Sequence, residues 1–133
     1  MRAALYIDCG SIKAEDIPYI YEEIRKTDDL VISKMFGVEM KDIAEIAERL
    51  RIQNNMHCGD DQTSALVALA VEVMADAVGE DVQKIYIATG DLAVLPLLDK
   101  LKLMRTNVVV IGPCGADRVP VSYTHLTLPT ILR

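Results

Sequence analysis

Hydrophobic and polar positions along the chain fall into two alternating kinds of stretch. Short, mostly apolar runs, typical of strands buried on both faces of a parallel sheet, occur at residues 3–7, 30–36, 84–89 and 107–111. A weaker run at residues 56–58 is a candidate for one more short strand. Segments with apolar residues at helical spacing separate the runs. The pattern therefore predicts about five strands joined by helices.

The segments between the strands predict four helices. Apolar residues recur at i, i+3, i+4 and i+7 over residues 17–24, and the same spacing predicts a second helix from about residue 40 to residue 54. A third helix, near residues 63–78, is apolar nearly all round, which is typical of a helix buried on more than one side. A fourth is predicted from about residue 94 to residue 104. Strands that alternate with helices pair in parallel, so we expect an α/β fold with a doubly wound, Rossmann-like sheet and helices on both faces.

An aspartate follows two of the predicted strands, Asp8 after the first and Asp91 after the fourth. In a doubly wound sheet, ligands bind beyond the carboxyl ends of the strands, where the strand order reverses. The two carboxylates are therefore candidates for one shared site for a divalent metal such as Mg²⁺, which prefers oxygen ligands and can activate water against a phosphodiester. Aspartate also caps helices and loops routinely, and the spacing alone leaves both interpretations open.

Composition and charge limit the class of protein. The chain has 133 residues, of which 51% are hydrophobic and 26% charged, as expected for one globular domain. With 20 acidic and 14 basic residues the net charge is −6, which argues against nucleic-acid binding over the whole surface but permits a local basic rim. No run approaches the ~20 apolar residues of a membrane-spanning helix. Three cysteines without metal-type spacing suit a reducing compartment, so we expect a cytoplasmic protein that binds no membrane.

Several motifs of ligand binding and catalysis are missing from the sequence. Gly10 stands alone after the first strand, so neither a dinucleotide fingerprint nor a P-loop is present, which disfavours a nucleotide-binding domain unrelated to RNA. Ser11 lacks the glycine frame of a hydrolase elbow. His57 and Cys58 have no second ligand pair, which favours ordinary strand-end residues over a zinc site. Cys9 is interpreted as a small buried thiol rather than a reactive one.

Residues 120–133 break the alternating pattern. The first eleven of them carry no charge, and no helix follows that would pair with them. The segment resembles the translated reading frame of a transposase sequencing adapter, and such a segment is excluded from fold reasoning. An edge strand or an extended arm is the alternative that this composition permits. We expect residues 1–119 to form a domain truncated at its C-terminal end, followed by a non-native tail.

Three segments resemble one known family. They are Leu5-Tyr6-Ile7-Asp8-Cys9-Gly10-Ser11-Ile12, the helix through residues 66–74, and Ile87-Ala88-Thr89-Gly90-Asp91-Leu92-Ala93-Val94-Leu95-Pro96-Leu97. Together they are similar to an NYN domain of the LabA-like, PIN-related ribonuclease superfamily, and the resemblance extends from residue 3 to about residue 112. It implies a PIN-like fold and RNA cleavage with Mg²⁺ or Mn²⁺ held by clustered aspartates.

Individual positions match the family in part. Asp8 and Asp91 match family aspartates and are the implied metal ligands and catalytic residues. Ser11 stands where the family has an asparagine. Leu66 and Ala93 stand where it has acids, and neither side chain offers an oxygen to a cation.

The resemblance therefore implies an RNA-processing domain whose cleavage is weak or lost, with a non-catalytic RNA-binding or scaffold module of the same fold as the alternative. No DNA specificity is evident, and a homo-oligomer is compatible with the sequence. Glu72 is interpreted as structural, and Asp60 and Asp61 as part of an N-cap cluster that is an alternative source of a ligand. The candidate contacts to RNA are two hydroxyls and four basic side chains, Ser11, Thr89, Lys13, Lys34, Lys100 and Arg105.

Overall fold

The computed structural model describes residues 1–37, 40–55, 61–79 and 81–112, and the backbone of residues 124–127. Within these residues the strands are β1 (Arg2–Asp8), β2 (Asp29–Phe36), β3 (Gln53–Asn55), β4 (Lys84–Ala88), β5 (Asn107–Gly112) and β6 (Thr124–Thr127). The α-helices are α1 (Ile17–Arg25), α2 (Lys41–Leu50), α3 (Gln62–Gly79) and α4 (Leu95–Leu103). Short 3₁₀ turns precede α1 and α4, at Ala14–Asp16 and Leu92–Val94.

The strands form one parallel sheet in the order β3-β2-β1-β4-β5-β6. This arrangement confirms the predicted α/β fold with a doubly wound sheet. Chain order reverses at β1, which pairs with β2 on one side and with β4 on the other. That reversal is the switch point at which open α/β sheets bind ligands. Asp8 ends β1 at this point, and Thr89 follows β4 beside it.

The sheet is covered by helices on both faces, which explains its continuous apolar strands. Leu5 and Ile7 of β1 face a core built with α1 and α2, whereas Ala4 and Tyr6 face a second core built with α3 and α4. All four side chains are fully buried. A strand buried on both faces has no polar face to alternate with, which is why β1 reads as an unbroken apolar run.

The second helix ends earlier than its pattern predicts, and the third strand begins earlier. Arg51 adopts a left-handed conformation with φ of 60°, which stops α2 at Leu50. The chain then pairs with β2 over Gln53–Asn55, a polar segment that carries no strand-like apolar run. The predicted strand at residues 56–58 lies outside the described residues.

The apolar helix α3 is buried on one face. Leu69 and Val73 are fully buried against the sheet, whereas Val67, Val71 and Val78 are 59%, 60% and 75% exposed. The prediction that this helix is buried on more than one side is therefore wrong, because one face packs against the sheet while these three valines are more than half exposed. Its 18 residues and mean hydropathy of 1.3 would suffice to cross a membrane by length and composition, a test that core helices of globular domains also pass.

Asp28, Lys84 and Tyr86 form a polar cluster at the edge of the sheet where the strands begin. The Tyr86 hydroxyl donates a hydrogen bond to Asp28 Oδ2, and Lys84 Nζ donates to the same oxygen at 3.3 Å. Burial works to raise the pKa of Asp28, but the hydrogen bonds from Tyr86 and Lys84 and the charge of Lys84 together hold it below its ordinary value. The cluster therefore favours the ionised carboxylate.

Strand β6 lies at the edge of the sheet, where its backbone pairs in parallel with β5 from Val109↔Thr124 to Gly112↔Thr127. This is the edge-strand alternative for the tail. An open sheet edge pairs through backbone groups that every residue except proline carries, so the pairing does not depend on the origin of the segment. The interpretation of residues 120–133 as a non-native tail stays a prediction.

Candidate functional site

The carboxyl ends of β1 and β4 bring the two predicted aspartates and two predicted hydroxyls together. Asp8 and Thr89 are both fully buried, and Ser11 lies in the tight turn that follows β1. The backbone N–H of Ser11 donates to the carbonyl oxygen of Asp8 at 3.1 Å, which folds this turn back over the strand end. We call Asp8, Ser11, Gln62, Thr89 and Asp91 the switch-point cluster.

The Asp8 carboxylate is held by hydrogen bonds from its neighbours. The hydroxyls of Ser11 and Thr89 each donate to Oδ2 at 2.7 Å, and the backbone N–H of Gly10 donates to Oδ1 at 3.0 Å. Hydrogen bonds to a charged acceptor are short and strong, so these donors fix the orientation of the carboxylate. Ser11 and Thr89 are thus positioning groups for Asp8, and their contact with a substrate stays a prediction.

Gln62, the first residue of α3, completes the cluster and was not among the predicted site residues. Its Nε2 lies 3.0 Å from Asp8 Oδ1, 2.9 Å from Asp8 Oδ2 and 3.5 Å from Asp91 Oδ2. Gln62 directly follows Asp60 and Asp61, and the N-cap cluster predicted there includes it, so it was interpreted as part of the helix start and not as part of a site. Its position offers a usable signal, because a helix that follows a parallel strand begins at the carboxyl edge of the sheet.

Asp91 caps a turn with one carboxylate oxygen and turns the other toward the Asp8 side of the cluster, and its role as a metal ligand stays a prediction. Its Oδ1 accepts the backbone N–H of Ala93 at 2.9 Å and so caps the 3₁₀ turn that follows. Its Oδ2 faces Gln62, and its own N–H donates to the Thr89 hydroxyl at 3.1 Å. One oxygen therefore stabilises the local turn, while the other points toward Asp8 through the Gln62 amide.

The positions that lack the family acids supply no further oxygen to the cluster. Leu66 is buried in the core one helical turn beyond Gln62, and Ala93 is exposed. Asp60 lies outside the described residues. Asp61 caps α3, where the backbone N–H of Ser64 donates to its Oδ1 at 2.8 Å and lowers the pKa of the carboxyl. Asp61 is thus engaged at the helix start.

The donor set suits one hard cation rather than two. Among the described residues, no three His, Cys, Asp or Glu side chains group closely enough to hold a metal, and no basic side chain forms an ion pair with Asp8 or Asp91. The cluster offers two carboxylates and two hydroxyls, all oxygen donors of the kind that Mg²⁺ and Mn²⁺ prefer. The amide of Gln62 lies between the carboxylates, so an ion held by both aspartates would require this amide to turn or move.

Lys34 does not belong to a basic rim. It lies within β2 opposite Tyr6 of β1, and its side chain is only 12% exposed. Its Nζ donates to Asp76 at 2.7 Å and to Glu72 at 3.0 Å, which places Glu72 in the structural role expected for it. Burial works to lower the pKa of Lys34, but the hydrogen bonds and charges of both carboxylates raise it above its ordinary value. The prediction of an RNA contact is wrong for this lysine, because its charge is neutralised by Glu72 and Asp76 within the protein.

Lys100 and Arg105 are also misplaced for a rim around the cluster. Helix α4 leads from the carboxyl edge of β4 back to the start of β5, so its last turn lies at the opposite edge of the sheet. Lys100 is in that turn and Arg105 follows it. Lys13, by contrast, is exposed two residues beyond Ser11, and of the four basic candidates it alone lies next to the cluster in the chain.

The cysteine and histidine candidates contribute nothing further to the described site. Cys9 is half-buried and packs against the core shared by α1 and α2. His57 and Cys58 lie outside the described residues. A cavity of about 620 Å³ lies away from the cluster, at the part of β2 that β3 does not cover, and shares none of the cluster residues.

Comparison with known proteins assigns no family to this chain. No protein-family model matches it, and no curated protein matches it either. The resemblance to an NYN domain therefore stays a prediction.

Proposed function

We propose that this chain is an RNA-processing domain that binds one Mg²⁺ or Mn²⁺ ion between Asp8 and Asp91 and cleaves RNA slowly. The observation that supports the proposal most is the convergence of the two carboxylates on one point, since a single nitrogen lies within 3.5 Å of oxygens from both. Asp8 is fully buried, and no described basic side chain pairs with it. A buried carboxylate without a cationic partner is costly, and a divalent cation would supply that partner.

The residues of the cluster have two different roles in this proposal. Asp8 and Asp91 would hold the ion, while Ser11 and Thr89 keep the Asp8 carboxylate in one orientation. When bound, the ion would activate a water molecule and stabilise negative charge on the phosphodiester. Leu66 and Ala93 supply no ligands for a second ion, so we expect slow cleavage.

RNA as the substrate is supported by the family resemblance and by the position of Lys13. An overall charge of −6 opposes binding of a polyanion, so the affinity must come from groups at the cluster itself. Lys13 is the exposed cation nearest in sequence to Ser11. Because few phosphates are neutralised, we expect weak RNA binding whose affinity decreases only modestly as salt is raised.

Cleavage of a labelled single-stranded RNA, with Mg²⁺, Mn²⁺ or EDTA, tests the proposal. We expect metal-dependent cleavage that falls at least about tenfold in Asp8→Asn and Asp91→Asn, since even loss of a group that only orients a ligand costs about 10–100-fold. Asp29→Asn is the matched control, because this exposed aspartate begins β2 at the opposite edge of the sheet. Cleavage that is unchanged in both site variants would refute the metal site.

A non-catalytic RNA-binding or scaffold module of the same fold is the second candidate. The observation that favours it is that the Asp8 oxygens already accept hydrogen bonds from Gly10, Ser11, Thr89 and Gln62. Fluorescence anisotropy with the same RNA separates the two candidates. RNA binding by the wild type without cleavage at any metal concentration supports the module, whereas metal-dependent cleavage supports the enzyme.

A further inference from the structure

The side-chain amide of Gln62 occupies the space between two carboxylates. Its Nε2 is within 3.0 Å of both Asp8 oxygens and 3.5 Å from Asp91 Oδ2. No described lysine, arginine or histidine forms an ion pair with either aspartate. The N–H₂ group of Gln62, whose hydrogens carry a partial positive charge, is thus the side-chain donor that lies close to both carboxylates.

The charges around Gln62 dictate which end of the amide faces the aspartates. The N–H₂ end donates to the carboxylates, whereas a carbonyl oxygen in the same place would be repelled by both of them. A divalent cation between the carboxylates reverses this preference, because it repels the N–H₂ end and attracts the oxygen. The last side-chain torsion of glutamine is broad and roughly two-fold, so the reversal requires little rearrangement.

Gly10 provides the space in which either end of the amide fits. A Cβ atom on Gly10 would lie 1.9 Å from Gln62 Oε1 and 3.0 Å from Nε2, so a larger residue there would push the Gln62 side chain away. Nitrogen and oxygen are close to one another in size. Gly10 therefore leaves the room that the amide occupies, and the size of the two end atoms does not favour one orientation over the other.

We propose that Gln62 is a two-position ligand of the switch-point cluster. Without metal its N–H₂ group holds Asp8 and Asp91 together, and on metal binding the amide turns so that Oε1 faces the ion. The inference rests on the proposed function, since it assumes that an ion binds at the two aspartates. It identifies Gln62 as the residue that preserves the cluster when the ion is absent and completes the ligand set when it is present.

Side-chain amide signals in ¹H–¹⁵N NMR spectra of the whole chain report on this turn directly. The Gln62 pair is assigned by its disappearance in Gln62→Leu, and Mg²⁺ is then titrated into the wild type. We expect the Gln62 pair to shift and to exchange faster with solvent, because its hydrogens leave the carboxylates. The Gln83 amide, which lies just before β4 at the opposite edge of the sheet, is the internal control and should not move.

Binding of Mn²⁺ measured by calorimetry adds a second readout. In Gln62→Glu, both ends of the side chain are carboxylate oxygens, so an oxygen faces the ion whichever way the group turns. We expect Mn²⁺ to bind about tenfold more tightly or more, which is the size of change that groups around a metal typically make. We also expect the metal-free variant to be less stable, because three carboxylates then meet. Gln83→Glu makes the same charge change at the opposite edge and should bind Mn²⁺ as the wild type does.

The outcomes separate failure of this inference from failure of the proposed function. If Mg²⁺ shifts the backbone signals of Asp8 and Asp91 but leaves the Gln62 amide unmoved, the two-position role is wrong and the metal site stands. If neither the wild type nor Gln62→Glu binds Mg²⁺ or Mn²⁺, the metal site is wrong and the inference fails with it. The wild-type titration decides the matter even if Gln62→Glu does not fold.

Discussion

Replacing Thr89 with valine removes one hydroxyl from the switch-point cluster and keeps the shape of the side chain. This hydroxyl donates to Asp8 Oδ2 at 2.7 Å and accepts the N–H of Asp91 at 3.1 Å. Both Thr89 and Asp8 are fully buried, so water cannot replace the lost donor without a local opening. The change therefore removes one hydrogen bond to the Asp8 carboxylate and leaves the backbone N–H of Asp91 without its protein acceptor.

The expected loss can be worked out from these two contacts. A hydrogen bond to a charged group contributes about 1.5–3 kcal/mol, and a donor left unpaired costs about 1–3 kcal/mol. Asp91 is half-buried, so water can reach its N–H and the low end of the second range applies. We expect Thr89→Val to lower the free energy of unfolding by about 3 kcal/mol. For a chain of this size that corresponds to a fall of about 10 °C in Tm.

Urea unfolding followed by circular dichroism measures this loss. Thr27→Val is the matched control, because Thr27 is exposed and its hydroxyl makes two long contacts of 3.4 Å, with the Ile24 carbonyl oxygen and with Asp28 Oδ2. Thr89→Ser keeps the hydroxyl and should retain more of the stability than valine does. Equal stability of Thr89→Val and Thr27→Val, within about 0.5 kcal/mol, would refute the view that Asp8 depends on this donor.

Two further predictions concern charges away from the cluster. Lys34→Met leaves two carboxylates without their cation and should lower the free energy of unfolding by about 3 kcal/mol, the low end for a broken buried pair. Lys26→Met is the control, because it breaks an exposed pair with the same 3.0 Å N–O distance and should lower the free energy of unfolding by less than about 1 kcal/mol. Equal losses in urea unfolding would contradict the role of burial. Because the pKa of Asp28 is lowered from 3.8, its stabilising contribution is present above that pH and is lost as the pH falls through the folded-state pKa. Asp28→Asn should flatten the acid side of the stability profile, and an unchanged profile would contradict the role of the Tyr86 and Lys84 hydrogen bonds.

Much of the fold could be predicted from the sequence because burial leaves a local record. Strands covered on both faces, such as β1 and β5, must be apolar throughout, and helices that pack on one face carry apolar residues at helical spacing. The same logic fails for β3, a polar strand of three residues that pairs with the end of β2. It also fails for α3, because apolar composition does not say which faces of a helix another element covers.

The candidate site was predicted in part. Asp8 and Asp91 could be identified because both follow apolar strands, and parallel strands end at the same edge of a sheet. Lys34 was misassigned because its partners are on a helix about forty residues further along the chain. Gln62 was missed for the same kind of reason, since Asp8 and Asp91 are 54 and 29 residues away from it in the chain, and its place at a helix start indicates only the edge of the sheet at which it lies.

The sequence by itself determined the alternation of strands and helices, the parallel sheet, and the two acids at the carboxyl ends of β1 and β4. These features follow from local periodicity, because each segment must bury its apolar side. Only the tertiary structure decided that Gln62 contacts both Asp8 and Asp91 and that Gly10 leaves space for its side chain. It also decided that Lys34 forms ion pairs with Glu72 and Asp76. Those contacts depend on the strand order, which brings segments far apart in the chain to within hydrogen-bonding distance.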